Sequence, residues 1–353
     1  MVAAHVSVEK SPFVKLIEEH NLQPLWERFH SLASPEPQPI DHACQWRWED
    51  MVPLVERAPR EVPMEHAERR ALVMANPDFG GRLITAGSLS SAIQIIEPGE
   101  SAEPHRHSVA AIRFVIESEG AATFVNGHSC EMRPGDLILT PAWTWHGHVN
   151  NTDRRAVWLD GLDVPLVRFG VDAFFYEPGR DAAPPNESAT PTDDNAWAEA
   201  GMVGAPLWAP LLPLPHAYSP KFRYPWDATR RFLQDLPADR DGSRLMRYVN
   251  PRTGGAIMPT IDCYVLQLAK NVETVPRRAT FSTVCMVAEG EGRSTIGDRQ
   301  FNWCKNDVFT IPHWRWATHV AATDNARLFL MTDRELYARL DLLREELAPD
   351  SPK

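Results

Sequence analysis

The residues best equipped for chemistry in this chain are three histidines: His105 and His107 in PHRHS, and His146 at the end of TPAWTWH. In an extended strand, residues two apart project to the same face, so His105 and His107 point together. A later strand that carries His146 can set a third imidazole beside them. Two imidazoles from one strand and one from another occupy one face of an octahedral ion and leave the opposite positions open to substrate and O2. An HxH pair alone also fits two surface histidines. Its setting favours a metal: the pair follows Gly99 as G-x5-H-x-H, Gly120 comes after, and Gly135-Asp136 leads through Pro141 to His146. Positions 111 and 112 are Ala111 and Ile112, so no carboxylate ligand follows the pair. A divalent ion held by neutral imidazoles keeps its full charge for the substrate, which favours a dianionic chelator such as a carboxylate beside a phenolate.

If the strand ran on regularly from His105, residues 109, 111 and 113 would share its inward face and Arg113 would enter the same cavity. A buried guanidinium without an anion is very costly. Either a substrate carboxylate, for which the arginine fork is well shaped, or a core carboxylate such as Asp160 must meet it. His148, two residues after His146, also faces inward. It is a candidate hydrogen-bonding or acid–base group, or else a satisfied structural histidine.

These side chains need a rigid scaffold, and the surrounding sequence supplies short strands. Between Leu83 and Leu162 the apolar runs AIQII, AIRFVI, ATFV, LILT and AVWL are separated by Gly, Asn, Asp and Pro, the pattern of an all-β barrel or sandwich. A second β region, from Thr260 to Met331, repeats the first. ESEG (117–120) and GDLILTPAWTWHGHV (135–149) are echoed by EGEG (289–292) and NDVFTIPHWRWATHV (306–320), and Asp136 to His148 has the same spacing as Asp307 to His319. The economical reading is two copies of one barrel. In the second copy Arg277–Phe281 stands where the histidine pair stands in the first, Ala317 replaces His146, and His319 matches His148. The second barrel is expected to be metal-free and structural. The expected organisation is an N-terminal helical arm packing on the barrels (1–80), a catalytic barrel (81–177), a linker and inter-barrel segment (178–259), and the second barrel with a closing helix (260–353). Leu16, Leu22, Leu25 and Phe29 give residues 12–32 a helical face, and RELYARLDLLREEL (334–347) supplies the closing helix.

A net charge of −11 without a basic stripe argues against a nucleic-acid partner, and any anion must be captured by a local cluster of positive charge. Five scattered cysteines, odd in number and without CxxC, read as reduced thiols and mostly core filler. The N-terminus lacks a basic-then-apolar leader and no apolar stretch reaches the ~18 residues of a membrane span. A cytoplasmic protein is expected.

The segments AERRALVMANP (67–77), PHRHSVAAIRFVIESEG (104–120), GDLILTPAWTWHGHVNNTD (135–153), WLDGLDVPLV (158–167) and YVNPRTGGAIMPT (248–260) resemble the bicupin ring-cleaving dioxygenases. That is the family of gentisate 1,2-dioxygenase and salicylate 1,2-dioxygenase, with 5-nitrosalicylate and 1-hydroxy-2-naphthoate members. The resemblance implies two tandem cupin barrels and one Fe(II) per subunit on His105, His107 and His146. It implies that Arg113 contacts the substrate carboxylate, with Arg69 as a second basic group, and that Gln94, His148 and Asp160 line the pocket or support it. It further implies a homotetramer that uses O2 to open the ring of a small aromatic carboxylate between the carboxyl- and hydroxyl-bearing carbons. Gentisate is the leading substrate. The chain departs from the family at Ser90, where relatives carry an aromatic residue, at Ala92, often Gly, and at Glu65, where the salicylate-cleaving relative has Arg. These departures leave the 5-substituent open, with 5-nitrosalicylate, salicylate and 1-hydroxy-2-naphthoate as alternatives. A different cupin enzyme, or a bicupin that only binds or stores, would lack ring cleavage with O2 uptake.

Overall fold

The structure, a computed structural model, describes residues 11–179 and 217–348. Of the expected linker and inter-barrel segment at 178–259, residues 180–216 therefore lie outside the described residues. The described residues up to Gln38 form one compact unit and those from Pro39 onward another. In the first, helices Pro12–Glu19 and Leu25–Leu32 are separated at Asn21, whose φ is +58°, and at Pro24. Leu16, Leu22, Leu25 and Phe29 are all exposed.

The second unit holds two barrels. Strands β1 (Gln45–Trp46) and β2 (Ala71–Val73) precede the first. Its eight strands are β3 (Ser90–Ile96), β4 (Ser101–His107), β5 (Ala111–Glu117), β6 (Ala122–Val125), β7 (His128–Glu131), β8 (Leu137–Thr140), β9 (His146–Val149) and β10 (Ala156–Leu162). They form one sheet in the order β8-β5-β10-β3 and a facing one in the order β4-β9-β6-β7. After β11 (Tyr176–Pro178), β12 (Arg223–Tyr224) and β13 (Arg244–Arg247), the second barrel runs through β14 (Asp262–Gln267), β15 (Arg277–Ala279), β16 (Thr283–Glu289), β17 (Gly292–Ile296), β18 (Arg299–Trp303), β19 (Val308–Ile311), β20 (Ala317–Ala321) and β21 (Arg327–Thr332). Its sheets follow the same two orders, β19-β16-β21-β14 and β15-β20-β17-β18. The repeat seen in the sequence is thus a repeat of topology, strand for strand.

Each barrel is extended by strands from outside its own span. β2 adds to β3 and β12 to β8 in the first barrel; β1 adds to β19 and β13 to β14 in the second. The repeated aspartates fix two of these additions. Asp136 accepts from the Trp226 backbone N–H at 2.8 Å and pairs with Arg223, anchoring β12. Asp307 accepts from the Trp48 backbone N–H at 2.7 Å, just past β1.

The larger sheets pack face to face, and strands buried on both faces read as near-continuous apolar runs rather than alternating ones. Ile112, Phe114, Leu137 and Leu139 of the first barrel share a core with Val265, Val284, Met286 and Phe329 of the second. The Phe114 and Phe329 rings stack at 4.2 Å. A fully buried phenylalanine here is worth ~3–5 kcal/mol against alanine. Gly161 lets the barrels close at this seam, because a Cβ there would overlap the Met331 side chain and force it to shift. The closing helix is shorter than the periodicity of 334–347 suggests. It spans Arg334–Arg339, Asp341 turns with φ +58°, and β22 (Glu345–Leu347) pairs with β15. Ion pairs Arg277–Glu345 and Arg278–Glu346 hold that strand in place, which local helical spacing does not register.

Candidate active site

Strands β4 and β9 pair so that His105 lies directly opposite His146, with an irregularity between Ala102 and His105 that re-aims the end of β4. The ring centroids are 4.3 Å apart for His105–His146, 4.8 Å for His107–His146 and 5.1 Å for His105–His107. One nitrogen from each ring lies within 4.8 Å of the others, the spacing of a metal-ligating set. Two backbone devices bring β9 to β4. Gly147 has no Cβ to press on the Ala102 carbonyl, which a side chain there would meet at 3.0 Å. Trp143, at φ +64°, turns the chain and donates its N–H to the His107 carbonyl at 2.7 Å.

The rings are oriented by backbone carbonyls. Nδ1 of His107 meets Val109 O at 2.8 Å, that of His146 meets Thr144 O at 2.9 Å, and that of His105 is 3.4 Å from Glu103 O. At His107 and His146 such bonds place the proton on Nδ1 and leave Nε2 with its lone pair for a metal, whereas Nδ1 of His105 also meets the donor-only Arg69 guanidinium. Nε2 of His146 is buried without a hydrogen-bond partner. Burial, reinforced by Arg69 and the neighbouring His107, pushes His105 down to about 3. Burial pushes His107 down to about 4 and His146 well below the ordinary histidine value, with Arg113 adding to both. All three imidazoles are therefore neutral at pH 7, the state in which an imidazole can hold a metal.

Arg113 reaches the site by another route than strand parity. The chain leaves β4 after His107, turns through 108–110 and enters the opposite sheet as β5, so the alternation from His105 does not carry to Arg113. Arg113 is 4% exposed; its Nη1 donates to Thr140 Oγ1 at 2.5 Å. Asp160 stands opposite it in register, yet Oδ1 is 3.5 Å from Arg113 Nε, which has no hydrogen-bond partner. That oxygen is already taken by Trp158 Nε1 at 2.9 Å. Both candidate answers for the arginine are thus partly realised: a core carboxylate is beside it, but loosely. Burial lowers Arg113 to about 10 despite Asp160, and burial raises Asp160 to about 6 despite Arg113.

Ser90, Ala92 and Gln94 alternate on β3 opposite Leu162, Asp160 and Trp158, which puts them on the face that carries Arg113, all buried. Arg69 donates from Nη2 to Glu103 O at 2.6 Å and touches His105 Nδ1. His148 is buried with Nδ1 3.0 Å from Thr123 Oγ1, its ring 4.9 Å from Trp158, and its Nε2 unpartnered. The side chain of Glu65 lies outside the described residues. Sequence reasoning missed Thr140, Trp158, Thr123 and Tyr176. The Tyr176 ring is 5.3 Å from that of His105, and its hydroxyl donates to Glu68 Oε1 at 2.5 Å. Thr123 was within reach of the repeat, because Ser294 holds His319 in the same way at 2.7 Å.

Residues 92–163 match the cupin domain model. Gentisate 1,2 dioxygenase 1 from Aquipseudomonas alcaligenes is 34% identical over 348 residues, covering 96% of this chain and 97% of that protein. A 5-aminosalicylate 1,2-dioxygenase from Comamonas sp is 35% identical over 92% of this chain and 87% of its own length. Among solved structures, the gentisate adduct of salicylate 1,2-dioxygenase from Pseudoaminobacter salicylatoxidans superposes with a TM-score of 0.84 at 33% identity, covering 98% of this chain and 97% of that one.

Proposed function

Because this chain belongs to the gentisate and salicylate 1,2-dioxygenase family and is a ring-cleaving dioxygenase of that kind, we propose that His105, His107 and His146 hold ferrous iron, one per subunit, and that gentisate is its substrate. The observation that carries this reading is the meeting of three neutral imidazoles with a buried, incompletely paired arginine in one barrel. Neutral ligands leave the charge of a divalent ion unspent, and Arg113 supplies a second positive centre for the ring carboxylate. Iron, when bound, supplies the path by which electrons leave the ring for O2.

The protein's own part is placement and proton handling. Arg113 takes the carboxylate and fixes the ring's orientation, while Arg69 adds positive charge at the His105 side. Asp160, buried and hydrogen-bonded to Trp158, keeps Arg113 from drifting without neutralising it fully. The Thr123 hydroxyl donates to Met132 Sδ at 3.4 Å, so His148 Nδ1–H is the donor to Thr123 and His148 Nε2 keeps a lone pair. That nitrogen is the group to accept the phenolic proton as the substrate becomes dianionic. Ser90, Ala92 and Gln94 shape the wall that meets the rest of the ring. A small polar Ser90 accommodates a 5-hydroxyl and equally a 5-nitro group, so 5-nitrosalicylate is the second reading. The same resemblance supports a homotetramer working in the cytoplasm. Among the described residues no helix is long and apolar enough to cross a membrane.

The test is oxygen uptake after anaerobic Fe(II) loading, against gentisate, salicylate, 5-nitrosalicylate, 5-chlorosalicylate and 1-hydroxy-2-naphthoate. One O2 consumed per ring opened, fastest with gentisate, supports the proposal. No uptake with any of them refutes it.

A further inference from the structure

Where β10 and β21 end, the two barrels hold each other through a matched pair of aspartates. Leu162 pairs in register with Ala111 on one side and Ser90 on the other, and Thr332 pairs likewise with Thr283 and Asp262. Asp163 and Asp333, one residue beyond, are therefore equivalent. So are Ala110 and Ser282, and so are Ser88 and Thr260. Asp163 Oδ1 accepts the Ala110 N–H at 2.8 Å within its own barrel, while Oδ2 accepts the Thr260 hydroxyl at 2.5 Å from the other. Asp333 Oδ1 accepts the Ser282 N–H at 2.8 Å, while Oδ2 accepts the Ser88 hydroxyl at 2.9 Å. Each carboxylate ties a turn of its own barrel to a hydroxyl of the twin, and the two ties cross. Both aspartates are buried. Hydrogen bonds to a carboxylate are roughly twice as strong as neutral ones, and a buried N–H that loses its acceptor carries its full desolvation cost. Gly87 keeps the crossing tight: its φ is +54°, and a Cβ there would meet the Ser282 hydroxyl at 2.6 Å.

The ties are alike, but what they hold is not. Ala110 closes the turn 108–110, which joins the end of β4 at His107 to the strand of Arg113. The residue before it, Val109, offers the carbonyl that His107 Nδ1 meets at 2.8 Å. Ser282 closes the matching turn of the second barrel, which leads to Thr283 and Cys285 and carries no histidine. The Asp163 tie therefore ends between a histidine of the cluster and the buried arginine, and its far end, Thr260, belongs to the second barrel. An oriented imidazole depends on the groups that hold its Nδ1 as well as on its own strand, so a shift of the turn moves both His107 and Arg113.

Building on the assignment of His105, His107 and His146 as metal ligands, we propose that Asp163 is a positioning residue of the dioxygenase: anchored on Thr260 of the second barrel, it fixes the turn that aims His107 and places Arg113. The second barrel thereby serves the chemistry of the first without holding a metal. The test is the affinity of the full chain for Co(II), an air-stable stand-in for Fe(II), measured by calorimetry beside the thermal midpoint. Asp163→Ala strips the Ala110 N–H of its acceptor and should weaken Co(II) binding roughly tenfold, the low end for a lost support of a ligand. Asp163→Asn keeps an oxygen for that N–H and should recover affinity close to that of the wild type. Asp333→Ala should lower the thermal midpoint as Asp163→Ala does, yet leave Co(II) affinity unchanged. Equal weakening by the two alanine variants, none by Asp163→Ala, or no recovery in Asp163→Asn overturns the proposal. Should either alanine variant not fold, Thr260→Val and Ser88→Ala take their places by deleting the matching hydroxyls. Weaker Co(II) binding in Thr260→Val alone is then expected, and equal affinities in the two overturn the proposal. Wild-type protein that binds no Co(II) overturns the metal site itself, a result distinct from a working site that is indifferent to Asp163.

Discussion

At corresponding points of the two barrels, β4 faces β9 with His105 opposite His146, and β15 faces β20 with Arg277 opposite Ala317. On the larger sheets, Arg113 opposite Asp160 is matched by Cys285 opposite Leu330, and Gln94 opposite Trp158 by Leu266 opposite Leu328. The backbone is the same and the charges are gone. What both barrels keep is the support: a left-handed tryptophan in the turn before the ligand strand, Trp143 and Trp314, and a buried histidine tied to a hydroxyl, His148 to Thr123 and His319 to Ser294. The fold therefore carries a general frame, and the chemistry rests on a few side chains hung on it.

The largest effect expected from breaking this contrast is at the ligands. His105→Ala or His146→Ala should abolish iron retention and reduce turnover to background; near-normal iron in the purified variants, by elemental analysis, contradicts the ligand assignment. Next is the pair Arg113→Ala and Cys285→Ala. The first removes a charge-assisted contact worth ~1.5–3 kcal/mol, a loss of roughly ten- to hundredfold in kcat/KM for ring carboxylates. The second should leave kcat/KM unchanged. Equal effects from the two would erase the distinction between the barrels.

A smaller effect concerns the retained histidine. Burial pushes His319 from the ordinary 6.5 down to about 4. Between those values the unfolded chain binds the extra proton, so stability falls as pH drops from 6.5 towards 4, by up to about 1.4 kcal/mol per pH unit. His105, His107, His146 and His148 are pushed the same way, so His319→Asn should lessen the slope in urea midpoints measured at pH 7, 6 and 5 by one group's share, and an unchanged slope excludes the role. The smallest effect is at Ser90. Ser90→Tyr should reorder the preference among 5-substituted salicylates with little change in stability, and an unchanged ranking places Ser90 away from the ring.

Much of this was legible in the sequence, and for identifiable reasons. The barrels are readable because their strands are short apolar runs cut by turn residues, and the repeat because Asp136–His148 and Asp307–His319 share a spacing. The histidine cluster is readable because HxH in a strand fixes a common face. What strand periodicity does not carry is the pairing across sheets. Arg113 was placed by an alternation that the turn at 108–110 interrupts, and it faces the histidines from the opposite sheet instead. Thr140 and Trp158, which decide how loosely Arg113 and Asp160 meet, depend on register between β5, β8 and β10. The C-terminal strand Glu345–Leu347 is written in helical periodicity and overridden by its arginine partners on β15.

The central claim is that one barrel binds iron and its twin does not. Anomalous diffraction at the iron edge, on crystals of Fe(II)-reconstituted protein, tests it most directly. The account predicts one peak per chain, equidistant from His105, His107 and His146, and none beside Arg277 and Ala317. A peak in the second barrel, or no peak among the three histidines, contradicts it.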